Sequence, residues 1–301
     1  MVAPGANLPE LVPDRSPGRA IRVREPLLAW FAVNGRDLPW RRTRDPWAVL
    51  VSEAMLQQTQ VARVLPRFES FVARFATPAA CAAAPVADVV RAWAGLGYNR
   101  RAVNLHRTAA AVVARHGGRL PADLTALMDL PGLGPYTARA VLAFAFEADV
   151  AVVETNTARV LARTAGRRLP PAVAQARADA LVPPGRSWAW NQAMVDLGAT
   201  VCTRREPHCG SCPLAGACGW RAAGAVPDPA APPSRQSAFA GSDRQGRGRL
   251  VDALVRSGAI PPESLAACAG WPDDPERARR AAASLVADGL AVDVDGHLRL
   301  P

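Results

Sequence analysis

Apolar residues recur at helical spacing from about Arg24 to Trp220, and Gly and Pro cut the pattern into short lengths. The pattern predicts helices over 45–60, 86–95, 104–116, 124–130, 137–146 and 156–164. Only 150–153 reads as strand in this part, and so short a run cannot found a sheet. The expected fold class is therefore all-α. After a stretch rich in Pro, Ala, Ser, Gly and Arg, helical patterns return at 249–256, 262–269 and 275–288. Two short apolar–polar alternations joined by Asp295-Gly296 follow them. Asp-Gly suits a tight hairpin, whose two central residues take positive φ. Three helices and a hairpin describe a small winged-helix-like module, a unit that binds DNA in some proteins and only packs in others. The expected division is a disordered leader over 1–22, a helical domain over 23–222, a linker over 223–246 and the module over 247–301.

A formal charge of +10 makes nucleic acid the first partner to consider and a membrane surface the second. No apolar run approaches the roughly 20 residues of a spanning helix, and the N-terminus lacks the apolar core of a signal peptide. A bacterial cytoplasmic protein, nucleoid-associated and without a membrane, is expected. All 36 residues counted as Lys+Arg are arginine. No side-chain amine exists to form a Schiff base, which excludes a lysine-dependent lyase or aldolase mechanism.

Four of the six cysteines, Cys202, Cys209, Cys212 and Cys218, are separated by six, two and five residues. Thiolates gathered by one short loop can ligate a [4Fe-4S] cluster or a four-thiolate zinc ion, or the same residues can form two disulfides. Zinc ribbons present two C-x2-C knuckles and this run has one, which favours iron–sulfur. The loop carries Arg204, Arg205 and His208, so it can present positive charge to phosphate. Cys81 and Cys268 lie in alanine-rich helical segments and read as buried core thiols.

Between two helical patterns lies Leu130-Pro-Gly-Leu-Gly-Pro-Tyr-Thr-Ala138. Gly132 and Gly134 permit positive φ and close backbone approach, Pro135 suits a first helical turn, and free N–H groups there can grip a phosphate. An ordinary helix–helix turn would use the same residues. Glu53 sits in an apolar helical run, where burial would raise its carboxyl pKa and make it a proton donor. The alternative is an ion pair with Arg63 or Arg101. Glu154 follows Ala151-Val152-Val153 and precedes Thr155-Asn156, either of which can cap the next helix with the carboxylate near its dipole. Its functional reading is an ionised carboxylate that complements a raised acid in cleaving a glycosidic bond.

With these residues the chain resembles the MutY adenine DNA glycosylases of the helix-hairpin-helix, iron–sulfur superfamily that also includes endonuclease III. The resemblance spans about 24–222. It rests on Leu38-Pro-Trp-Arg41, Ser52-Glu-Ala-Met-Leu-Gln-Gln-Thr-Gln-Val61, Gly95-Leu-Gly-Tyr98, Asn104-Leu-His106, the hairpin, Asn191-Gln-Ala-Met-Val-Asp-Leu-Gly-Ala199 and the cysteines. It implies that Glu53 is the general acid toward adenine N7 and that Tyr136 and Asn156 order the catalytic centre with Glu154. It also implies that Gln57, Gln58, Tyr98, Gly132, Gly134, Arg204 and Arg205 meet DNA, Gln58 and Tyr98 within the base stack. The cysteines become ligands of a [4Fe-4S] cluster, and the partner becomes duplex DNA with a mismatch or lesion, bound by a monomer. Tyr136 stands where endonuclease III has its Schiff-base lysine, which implies a monofunctional enzyme. Two departures stand out: Glu154 replaces the family's aspartate, and the tail lacks the Phe-Ser-His loop of the usual NUDIX-like domain. It looks instead like the tail of actinobacterial MutY-type proteins. The departures leave open another base, such as thymine or uracil opposite guanine, a damaged purine, or a binding protein weakened in turnover.

Overall fold

The computed structural model describes residues 17–230, 232 and 237–301. The leader reading over 1–16 and the linker reading over 233–236 lie outside the described residues. Among the described residues the α-helices are α1 Pro17–Asn34, α2 Pro46–Leu56, α3 Val61–Arg74, α4 Pro78–Ala83, α5 Val86–Ala92, α6 Arg100–His116, α7 Leu124–Met128 and α8 Pro135–Ala145, then α9 Thr155–Ala165, α10 Pro171–Leu181, α11 Ser187–Asp196, α12 Gly219–Ala222, α13 Asp243–Ser257, α14 Leu265–Ala269 and α15 Pro275–Ala287. Two compact units form. The first joins the segment ending at Asp37 to the stretch that begins at Ala138. The second joins Leu38–Thr137 to the C-terminal region.

In the second unit α2 is buried over nearly its whole circumference, from Trp47 through Glu53 to Met55, as a helix must be when apolar residues surround it. Asp45 starts it by accepting from the amides of Trp47 and Ala48 at 3.3 and 3.2 Å, and Pro46 fills the first turn. Helix α3 buries one stripe, Val64, Phe68 and Phe71. The Phe71 ring stands edge-on to Trp93 at 5.8 Å.

In the first unit Val23, Leu27, Val160, Leu161, Trp190, Met194 and Leu197 form one core. The 150–153 run is extended but joins no sheet, because side chains take up its backbone groups. Asn191 accepts from the Val152 amide at 2.8 Å and donates to the Val150 carbonyl at 2.9 Å, and Asp179 accepts from the Ala151 amide at 2.9 Å.

The C-terminal module is three helices with strands β1 Ala259–Ile260, β2 Val292–Val294 and β3 His297–Arg299, all antiparallel in the order β1-β3-β2. The expected hairpin is present, with Asp295 and Gly296 at φ 52° and 76°. The third strand, β1, was not legible because two residues carry no periodicity. Other boundaries also moved. Helix α1 begins inside the stretch read as leader and α13 inside the stretch read as linker. The 45–60 helix stops at Leu56, where Gln58 takes φ 54° and a new helix starts after Gln60. No helix among the described residues is long and apolar enough to cross a membrane.

Candidate active site and thiol loop

Glu53 lies in the last turn of α2, 6% exposed, on a helix whose neighbouring side chains are buried. Arg101, one of the two suggested ion-pair partners with Arg63, is engaged elsewhere. One of its terminal nitrogens donates to the carbonyls of Ala54, Met55 and Gln57 at 2.7, 2.8 and 2.6 Å. The other reaches Thr59 Oγ1 and the Gly97 carbonyl, both at 2.9 Å. A single guanidinium thus closes the C-terminal end of α2, where carbonyls lack intrahelical partners, and ties it to the 96–98 loop. Burial lowers the Arg101 pKa to about 10.

The two residues expected in the base stack flank this junction. Gln58 and Tyr98 have φ of 54° and 47°, in the left-handed region that side chains other than glycine rarely adopt. Such strain persists only where the surroundings over-determine it, and it concentrates at functional sites. Arg101 supplies the determination, with its guanidinium also 5.5 Å from the Tyr98 ring centroid and 5.3 Å from that of Trp93. Gln57 caps α2 and donates to Thr137 Oγ1 at 3.1 Å, which fixes it to the first turn of α8 one residue beyond Tyr136. Sequence reasoning missed the role of Arg101, which lies 42 to 47 residues from its acceptors on Ala54, Met55, Gln57 and Thr59.

The hairpin leads from α7 into α8. Gly132 takes φ 80°, and a Cβ built there would lie 2.8 Å from Asn104 Cβ, so the position admits no side chain without movement. Thr108 Oγ1 donates to the Pro131 carbonyl at 2.5 Å and holds the turn against α6. Gly134 differs from expectation: it has no positive φ, and a Cβ there meets nothing within 4 Å. Its want of a side chain leaves the backbone open rather than relieving a turn.

In the first unit Glu154 itself is the N-cap of α9, not Thr155 or Asn156. Its two carboxylate oxygens accept from the amides of Asn156 at 2.7 Å and Thr157 at 2.8 Å. The extra methylene lets the side chain fold back onto its own helix, where the dipole favours an anion. Asn156 Oδ1 accepts from Arg159 at 2.8 Å. A Cβ on Gly198 would come within 2.7 Å of Asn156 Cβ, so the glycine permits this packing.

The four clustered cysteines are unpaired thiols that line one cavity. Arg163, with 1% of its surface exposed, anchors the loop: it donates to Cys202 Sγ at 3.4 Å and to the carbonyls of Thr203 and Arg204 at 2.7 and 3.0 Å. Asp228 balances its charge at 2.6 Å, and the Trp220 ring lies 4.5 Å away. Among the described residues no three His, Cys, Asp or Glu side chains converge as a single-ion site. The four sulfurs line one cavity beside the buried Arg163 guanidinium, a donor set whose chemistry suits thiolate ligation. Arg204 is half-buried and Arg205 exposed. Burial pushes the Cys81 thiol up to about 12, as befits an inert core residue, whereas Cys268 is only half-buried.

Residues 51–183 match the HhH-GPD superfamily of base excision DNA repair proteins. The chain is 45% identical to an adenine DNA glycosylase of Mycobacterium tuberculosis over 98% of its own length and 99% of that protein's. Among solved structures it is similar to a thermostable thymine-DNA glycosylase, with a TM-score of 0.63 and 28% identity over 68% of this chain and 98% of that one. It is also similar to endonuclease III trapped as a covalent intermediate with DNA, with a TM-score of 0.56 and 26% identity over 65% of this chain and 93% of that one.

Proposed function

The chain belongs to the adenine DNA glycosylase family of the HhH-GPD superfamily, and from that premise we propose that it hydrolyses the N-glycosidic bond of an adenine flipped out of duplex DNA opposite 8-oxoguanine or guanine. The observation that carries the reading is Glu53, a carboxyl group buried in α2 five residues ahead of the strained Gln58. A carboxylic acid held from water donates its proton to adenine N7. The C1′–N9 bond then breaks with its electron pair going to the base. The sugar passes through an oxocarbenium-like state, which the Glu154 carboxylate stabilises. Water adds to C1′ and gives its proton to a carboxylate, leaving an abasic site. Tyr136 and Asn156 order this centre.

Gln58 and Tyr98 enter the stack beside the extruded nucleotide, and their fixed backbone lowers the cost of opening the helix. Gln57, Gly132 and Gly134 of the hairpin, and Arg204 and Arg205 of the thiol loop, hold the phosphates without reading sequence. Cys202, Cys209, Cys212 and Cys218 would hold a [4Fe-4S] cluster, which supplies a rigid charged fold to the loop. Because the chain has no lysine, no lysine Schiff base follows base release, which supports a monofunctional enzyme. It acts as a monomer in a bacterial cytoplasm, on the nucleoid.

The likeness to a thymine-DNA glycosylase supports a second reading, removal of thymine or uracil opposite guanine. One assay separates the two. Purified, cluster-loaded protein is given duplexes carrying A opposite 8-oxoguanine, G or C, and T or U opposite G, in single turnover with alkali cleavage of the product. Adenine release that vanishes in Glu53→Gln is expected. Release of thymine or uracil alone would transfer the function to the second reading, and no release of any base would leave a DNA-binding role.

A further inference from the structure

Trp220 carries a buried donor that no acceptor meets among the described residues. The residue is 8% exposed, and its indole N–H lies inside the protein without a hydrogen-bond partner. An indole nitrogen can only donate, and burying a donor unpaired is costly enough that nearly all such groups find an acceptor. Its place in the chain points to one. Trp220 follows Cys218 by two residues and lines the same cavity as Cys202, Cys209, Cys212 and Cys218.

The indole is firmly mounted. Arg163 lies over the ring, 4.5 Å from its centroid, and is itself held by Asp228 at 2.6 Å. That contact occupies the π-face and leaves unanswered the N–H, which lies in the ring plane. One residue earlier the backbone runs against the C-cap of α9. A Cβ on Gly219 would come within 3.1 Å of Gly166 Cα, so the two strands of backbone touch where no side chain fits. On the other side, the Trp220 carbonyl accepts from the Ala225 amide at 2.8 Å. A ring fixed in this way keeps its donor away from water.

We propose that the Trp220 indole N–H donates a hydrogen bond to a sulfur of the group that the four thiolates hold, and so sets the reduction potential of a [4Fe-4S] cluster from within the loop. The proposal rests on the reading that the cysteines ligate such a cluster, whose sulfurs are the acceptors this donor otherwise lacks. Hydrogen bonds to cluster sulfurs stabilise the more negative charge state and thereby raise the potential. Arg163, which donates to Cys202 Sγ at 3.4 Å, acts in the same direction. Trp220 is thus a tuning residue for the cluster and has no part in the chemistry at the base.

The test uses the full chain loaded with iron and sulfide. Analysis of bound metal comes first, because a chain that takes up zinc, or no iron and sulfide, sinks the cluster reading and this proposal with it. In loaded protein grown with tryptophan carrying nitrogen-15 in the indole, one-electron oxidation by ferricyanide makes the cluster paramagnetic. Electron–nuclear double resonance is then expected to show a coupling to an indole nitrogen in wild type and none in Trp220→Phe. Voltammetry reads the second consequence. The midpoint potential should shift negative in Trp220→Phe, and also in a chain with benzothienylalanine at position 220, where sulfur replaces the N–H and the bulk against Arg163 stays. With the cluster bound, equal potentials in all three proteins would overturn the proposal and leave the cluster reading standing. So would the absence of indole coupling in wild type. A shift confined to Trp220→Phe would overturn it as well, since bulk and not the donor would then set the potential.

Discussion

Replacing Arg101 by Met keeps most of the aliphatic stem and removes the charge and every donor. Five bonds of 2.9 Å or less go to Ala54, Met55, Gln57, Thr59 and Gly97. A hydrogen bond from a charged donor contributes about 1.5–3 kcal/mol net, and a buried acceptor left without a partner costs about 1–3 kcal/mol. The five do not add, because one side chain makes them all and water reaches part of the junction. A loss of about 3–5 kcal/mol is therefore expected, the scale of removing one partner from a buried charged contact. At about 2 °C per kcal/mol, a value suited to a chain of this size, Tm falls by roughly 6–10 °C. Arg101→Lys, with one compact ammonium, should recover part of it, since it cannot span both groups of carbonyls. The catalytic consequence is more specific. With α2 and the 96–98 loop untied, Gln58 and Tyr98 relax from their left-handed conformations, and single-turnover adenine release should fall even at temperatures where the variant is folded. Differential scanning calorimetry and the release assay check the two effects. An Arg101→Met protein that melts within 1 °C of wild type and releases adenine at the wild-type rate would refute the reasoning.

Two further outcomes are expected. Glu154→Asp should keep the α9 cap, because aspartate is among the preferred N-caps, and should raise the rate of adenine release. A misplaced catalytic group can cost on the order of 100-fold, so a rate unchanged within error would show that the longer side chain carries no penalty. Hydrogen bonding from Arg163 holds the Asp228 carboxyl below its ordinary value of 3.8. The native state thus favours the ionised form, so the contribution of Asp228 to stability is complete above that ordinary value and is lost as pH falls through the lower native one. Asp228→Asn should be less stable than wild type at neutral pH, with the gap closing only in acid. A gap that is the same at pH 7 and at pH 2.5 in urea titrations would contradict this.

Much of the candidate site was readable before any fold was known, because it consists of residue types whose cost or chemistry shows locally. A carboxylate in the apolar run around Glu53 announces itself by its burial cost. The cysteine spacing and the glycines of the hairpin do so by ligand and backbone requirements. The errors lie where one local signal served two purposes. Glu154 was placed beside a capping residue when it is the cap, since a glutamate can reach its own helix amides as Thr155 or Asn156 would. Gly134 was given a conformational role that Gly132 alone has. The helix expected over 45–60 ended early because its polar tail carries no stop signal. Its end is set by Arg101, more than 40 residues away.

By itself the sequence determined the all-α class, the hairpin, the Asp295-Gly296 turn, the thiol loop and the absence of any lysine. All of these follow from composition or from periods of a few residues. The tertiary structure alone decided that Arg101 and Arg163 are anchors, that Gln58 and Tyr98 are strained, and that Trp220 shares a cavity with the four cysteines. An arginine gives no sign in sequence of whether it faces solvent or collects carbonyls from distant segments. Its role is fixed by which backbone groups the packed helices leave unsatisfied nearby.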